Sequence, residues 1–143
     1  MRAALPRLPD WTDRLAAYLE ARSVTTWAWG AHDCCQFSGG ALEALCGVDI
    51  IAPILAGRGY ASPMGAARVL RALDGIETLP ARAGLPELTA VAQAARGDIV
   101  LAPVGRRGAL ALGVVADHRA AFAAHPAGLH FFPLSRCVGA WRA

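Results

Sequence analysis

At Asp98 the apolar residues of this chain change period. Before it they recur at helical spacing: Trp11, Leu15, Tyr18 and Leu19 fall on one face, and Phe37, Ala41, Leu42 and Leu45 form a second stripe of the same kind. From Asp98 onward the chain breaks into short apolar runs, "DIVLAPV", "ALALGVVAD", "RAAFAAHP", "GLHFFPL" and "CVGAWRA", divided by Gly, Pro, Asp or Arg. Such runs read as four or five antiparallel strands. Helices first and strands last predict an α+β fold, with N-terminal helices packed on one side of a C-terminal antiparallel sheet or half-barrel.

Local signals place the helices. Asp10 and Asp13 put a cap and an acid at the head of a first helix, expected to run to about Arg22. "SVTTWAWG" is β-branched and aromatic, hence extended or loop-like. A second helix is expected to open at Asp33 or Cys34 and to stop at Gly47. Gly39 and Gly40 lie inside it and cost roughly 1 kcal/mol each against Ala. Their presence predicts a backbone or a bulky ring passing close by. Ser62 and Pro63 cap a third helix ended by Gly75, with Val69, Leu70 and Leu73 facing inward. "LPELTAVAQAARG" is expected to add a short fourth helix ending near Gly97.

At 143 residues and 55% hydrophobic, the chain reads as one domain over residues 1–143, able to bury a core without disulfide or metal. Pro6 and Pro9 break the opening "MRAALPRLPDW", so no signal peptide is expected, and no stretch reaches the ~18 apolar residues of a membrane span. All 14 basic residues are arginine, which together with abundant Ala and Gly reads as GC-rich bacterial or phage coding. The net charge of +3 is spread thinly, with only Arg106 and Arg107 adjacent, so no nucleic-acid partner is expected.

The four cysteines are Cys34, Cys35, Cys46 and Cys137, without a CxxC pair. Neither a zinc cage nor a cofactor is expected, and Cys46 and Cys137 read as buried small hydrophobes. Cys34 is different. A thiol at a helix head meets unpaired amides and the positive end of the helix dipole, which lower its pKa. Those amides also form a ready oxyanion site. Cys34 is therefore the candidate nucleophile, and Cys35, ~100° further around the helix, is expected to face the core. Asp33 is expected to cap the helix, although its charge beside the thiol acts against ionisation.

The order of an early helix, "DC" opening a second, then "GDIVL" and "LGVV" strands resembles NlpC-type cell-wall cysteine peptidases, which are compact papain-like domains. The wider set "WAWGAHDCCQFSGGAL", "GVD", "GRGYASPMGAARVL", "RGDIVL", "ALGVV" and "AWR" is similar to small phage and prophage tail-associated proteins related to them. This resemblance runs from Trp11 to Arg142 and implies a papain-like NlpC-type fold. It also implies a virion protein, made in the bacterial cytoplasm, that docks on other tail-tip or hub proteins.

NlpC-type enzymes carry the catalytic histidine in an H-x-G-aliphatic pattern on the strand after "GD-aliphatic". Here that pattern reads Ala111-Leu112-Gly113-Val114, so Ala111 stands in the base's place. "RAAFAA" offers only alanines and Phe122 where the orienting polar group belongs. His32, two residues before Cys34, and His130 in "GLHFF" are the remaining candidate bases, while His118 and His125 fall in turns. His32 also reads as a residue that bonds backbone near the helix start. Trp27, Trp29 and Tyr60 are candidates for a substrate-side surface, with half-buried packing the plainer role for the tryptophans. Arg58 reads as an ion-pair partner. The expectation is a structural tail component with degenerate chemistry. The alternative is an active cysteine endopeptidase or amidase acting on peptidoglycan through Cys34.

Overall fold

A computed structural model of the chain describes residues 6–55 and 59–143, so Arg58 lies outside the described residues. The fold is α+β, with helices first and a five-stranded antiparallel sheet after them. Helix α1 spans Trp11–Arg22, where Leu15 is fully buried and Trp11, Tyr18 and Leu19 pack half-buried on the core. The Asp10 side chain makes no capping bond there. Helix α2 spans Cys34–Cys46, and the Asp33 carboxylate caps it by accepting the Gln36 amide at 3.0 Å. Gly47 ends it with φ 84°, a left-handed turn that favours glycine.

The inner stripe of α2 is fully buried at Phe37, Ala41, Leu42 and Leu45. Its two internal glycines have a steric cause. A Cβ on Gly39 would meet the Asp49 carboxylate, and one on Gly40 would meet the Tyr18 ring. That close approach lets the Tyr18 hydroxyl donate to the Phe37 carbonyl at 2.7 Å, joining α1 to α2.

Short helix α3 covers Ala52–Leu55, α4 covers Pro63–Ala72, and α5 covers Leu79–Arg82. Ser62 caps α4 by accepting the Gly65 amide at 3.0 Å, with Pro63 in the first turn. The helix expected over 85–97 is reduced to a 3-10 turn at Val91–Gln93. Backbone pairing with the last strand outcompetes helix formation there. The Leu88 amide donates to the Ala140 carbonyl at 2.8 Å, and the Arg142 amide to the Pro86 carbonyl at 2.9 Å.

Strands β1 (Ile99–Ala102), β2 (Ala111–Val115), β3 (Arg119–Ala123), β4 (Leu129–Pro133) and β5 (Gly139–Trp141) lie in the order β4-β3-β2-β1-β5. Both faces of the two central strands are buried, which is why their sequences are continuous apolar runs rather than alternations. Ile99, Leu101, Leu112 and Val114 meet the helical layer. Val100, Ala102, Ala111 and Val115 meet a second cluster covered in part by Leu88, Val91, Ala94 and Leu134. Among the described residues no helix is long and apolar enough to cross a membrane.

Asp98, just before β1, fastens the chain's two ends. Its fully buried carboxylate pairs with Arg7 at 3.2 Å and Arg142 at 3.0 Å. It also accepts the Ala95 amide at 2.9 Å and the Ala143 amide at 3.0 Å. Every charge taken from water there has been given a partner.

Candidate functional site

Cys34 is the first residue of α2 and stays half-buried, while Cys35 is buried. Cys34 packs against both core clusters, including the one that holds Ala111. The odd-numbered residues of β2 bond across to β1, as the Val115 amide does to the Asp98 carbonyl at 2.9 Å. The Leu112 amide therefore points the other way. There the β2–β3 pairing covers only Val114 and Val115, so the Leu112 N–H is open to the helix head. It is among the groups that lower the Cys34 thiol.

The Cys34 thiol is held below the ordinary thiol range. The largest cause is a hydrogen bond from the Cys35 thiol, helped by the Leu112 and Cys35 amides against burial and the Asp33 charge. The Cys35 thiol moves the other way, pushed well up by its bond to Cys34, then by burial. Burial alone pushes Cys137 up, and burial raises Cys46 against the pull of Arg7.

Asp33 is buried and occupied. Besides capping α2 it accepts the Gly30 amide at 2.7 Å. Burial, with the Cys35 and Asp33 charges, pushes the Tyr60 phenol far up. The loop that carries Tyr60 lies directly on the "WGAHD" turn, where a Cβ on Gly30 would strike the Tyr60 carbonyl. That contact, together with φ 83°, requires glycine at position 30. Tyr60 thus stands beside the turn that leads into α2 and packs on the helical core.

The histidines sit elsewhere. His32 is buried, with Nε2 at 3.0 Å from the Gly128 carbonyl and Nδ1 at 3.4 Å from an Arg22 nitrogen. A carbonyl can only accept and a guanidinium can only donate. The ring is thus held as the Nε2–H tautomer, with both nitrogens engaged away from the thiol. Its edge rests on Phe37 at 6.4 Å between ring centres. His130 is exposed on edge strand β4, paired with Phe122 and edge-on to Phe132 at 6.2 Å. His118 is exposed beside Asp117 at 3.6 Å, and His125 packs on Trp27 at 5.9 Å. No imidazole is among the groups acting on the Cys34 sulfur.

Ala111, in the place the resemblance assigns to the base, is buried and pairs with Ala102 of β1. Trp27 and Trp29 stack edge to face at 5.0 Å and are half-buried. Among the described residues no three His, Cys, Asp or Glu side chains converge to hold a metal.

The arrangement can stabilise a thiolate and can present amides to a developing negative charge. All four histidines are among the described residues, and none of them is among the groups acting on the Cys34 sulfur, where an imidazole would take a proton and return it to a leaving group. Sequence reading located Cys34 and Asp33. Cys35 is buried toward the core, as rotation by ~100° around the helix implies. The Leu112 amide carries no side-chain signal at all.

A family model described as "Domain of unknown function (DUF6950)" matches residues 6–143. No curated protein matches the chain. The match covers all but the first five residues, and the protein belongs to the DUF6950 family.

Proposed function

We propose that this protein is a structural component of a phage tail tip. In this reading it is a papain-like domain related to NlpC-type cell-wall peptidases that keeps the cysteine half of the active site and has lost the base. The observation that carries the chemical part is the pairing of a donor-ringed Cys34 with a buried Ala111 where an imidazole belongs. The assignment to a virion rests on the motif resemblance. Its partners are then other tail-tip or hub proteins.

Cleaving an amide through cysteine needs two proton movements. The thiol must lose its proton, and the departing amine must gain one. Hydrogen bonds to Cys34 serve the first. Among the described residues no imidazole serves the second, and a missing general acid–base group removes about 10²–10⁴-fold from its own step.

A second reading, an active peptidoglycan endopeptidase or amidase, draws on one specific feature: Cys34 heads α2 with its thiol held below the ordinary range. Release of muropeptides from purified cell walls separates the two. Wild type and Cys34→Ala should both release next to nothing, and Ala111→His should gain partial activity. Robust cleavage by wild type that vanishes in Cys34→Ala would establish the enzyme reading instead. Mass spectrometry of purified virions tests the location, and absence of the chain from intact particles rejects the structural role.

A further inference from the structure

The sheet has two edges, and they are finished differently. At β5 the chain covers its own edge. The Leu88 amide donates to the Ala140 carbonyl and the Arg142 amide to the Pro86 carbonyl, so residues 86–88 lie along that strand. At β4 only the lead-in is covered. There the Gly128 amide donates to the Thr25 carbonyl at 2.8 Å, and the Trp27 amide to the Pro126 carbonyl at 2.9 Å. Among the described residues no strand or bridge pairs with the outer side of Leu129–Pro133.

The register decides which backbone groups are left there. The Ala124 amide donates to the Gly128 carbonyl at 2.9 Å, which sets the phase of the β3–β4 ladder. Bonded and unbonded pairs alternate in an antiparallel ladder, so His130 and Phe132 bond inward to Phe122 and Ala120. The amides and carbonyls of Leu129 and Phe131, with the Pro133 carbonyl, therefore point away from the sheet. Such a row is a template for another strand.

Charge selects the occupant. Phe131 is 41% exposed, with the Arg119 guanidinium 4.7 Å from its ring centre. On the opposite face Arg136 lies over Phe132 at 5.0 Å. Arg119 has Asp117 at 3.2 Å, whereas Arg136 has no acid partner among the described residues. From residue 99 to 143 the sequence carries five arginines and one acid, Asp117. A second copy laid edge to edge would bring like charge to like, while an acidic strand complements it.

We propose that the outer edge of β4 takes an extended, acid-bearing segment of a partner protein as a sixth strand. The segment's backbone meets Leu129 and Phe131. An apolar side chain rests on the Phe131 ring, and an acid on the other face meets Arg136. The inference stands on the sheet alone, so loss of the tail-tip assignment leaves it in place.

The probes are capped peptides of alternating Glu and Val, compared with alternating Lys and Val, titrated into the isotope-labelled full chain and followed by NMR. With the Glu–Val peptide at about ten times its dissociation constant, exchange of the Phe131 amide should slow roughly tenfold. Phe131→Ala keeps the outward donor, and Phe131→Pro removes it without touching the β3–β4 bonds. The proline variant should bind roughly fivefold more weakly than the alanine variant. Arg136→Glu changes only an exposed side chain and tests the charge where a backbone variant fails to fold. It should weaken Glu–Val binding roughly fivefold and strengthen Lys–Val binding. Equal binding of the two peptides, an unprotected Phe131 amide, or no binding at all overturns the proposal. So does a dimer of the free chain that Phe131→Pro dissolves, because a second copy would then be the occupant.

Discussion

Asp98 and Cys34 are both ionisable groups set against the central strands, and their surroundings are completed to different degrees. Asp98 is fully buried with two arginines and two amides on its oxygens, and through Arg7 and Arg142 it joins the two ends of the chain. Cys34 heads α2 with its thiol held below the ordinary range, and it packs against the cluster that holds the buried Ala111. The carboxylate is satisfied on every side, whereas the thiol, on the proposed reading, lacks a base. The two differ because folding needs every buried charge paired, while a lowered thiol needs only donors near it.

The largest expected effect breaks the finished side of this comparison. Asp98→Ala should cost about 3 kcal/mol in urea denaturation, since it leaves Arg7 and Arg142 facing a vacated buried position. The lower end of the usual range applies because Arg142 is 40% exposed and partly solvated. Cys34→Ala should cost less than about 1 kcal/mol. Equal losses would mean that the cysteine site is structural and would remove the contrast.

His32 sharpens the division. Removing its ring takes one of two donors from the Gly128 carbonyl, which keeps the Ala124 amide, and opens a cavity beside Phe37, so His32→Ala should destabilise by about 2 kcal/mol. The rate of Cys34 alkylation in the folded variant should not change. A drop in that rate without loss of fold would bring His32 into the site after all.

A smaller effect comes with pH. The thiols of Cys46 and Cys137 are raised, and the Tyr18 phenol is pushed up to about 12 by burial. In the unfolded chain these groups ionise at ordinary values, about 8.5 for a thiol and about 10 for a phenol. Above those values the unfolded state binds fewer protons than the native one, so stability falls as pH rises. Cys34 runs the other way, because its lowered thiol favours the native state once ionised. The denaturation midpoint should decline steadily between about pH 8 and pH 11, and more shallowly in Cys137→Ala.

The smallest effect is at the surface. Arg119 holds the Asp117 carboxyl down at about 2, but both side chains are 45% exposed and water screens the pair. Asp117→Asn should change stability by less than about 0.5 kcal/mol. A larger loss would show that the β2–β3 turn matters more to the sheet than its exposure implies.

Much of the scaffold was legible in the chain itself, because its cues are local. The change of period at Asp98 marks the passage from helices to strands. Asp33 and Gly47 bound α2, Ser62 and Pro63 start α4, and Gly40 makes room for the expected ring, which Tyr18 supplies, while Gly39 makes room for the Asp49 carboxylate instead. Each is a matter of spacing, capping or steric room, set within a few residues. The segment over 85–97 was misread for the opposite reason. Its composition suits a helix, but pairing of Pro86 and Leu88 with the chain around β5 comes from some fifty residues away. The site divides along the same line. Cys34 at a helix head and the alanine at position 111 are sequence facts. The open Leu112 amide beside the head of α2, the Tyr60 carbonyl against Gly30 and the His32 bond to the Gly128 carbonyl exist only once β2, α2 and the loops around them are brought together. Contacts of that kind depend on the direction and distance of groups on separate elements, which no local pattern in a chain encodes.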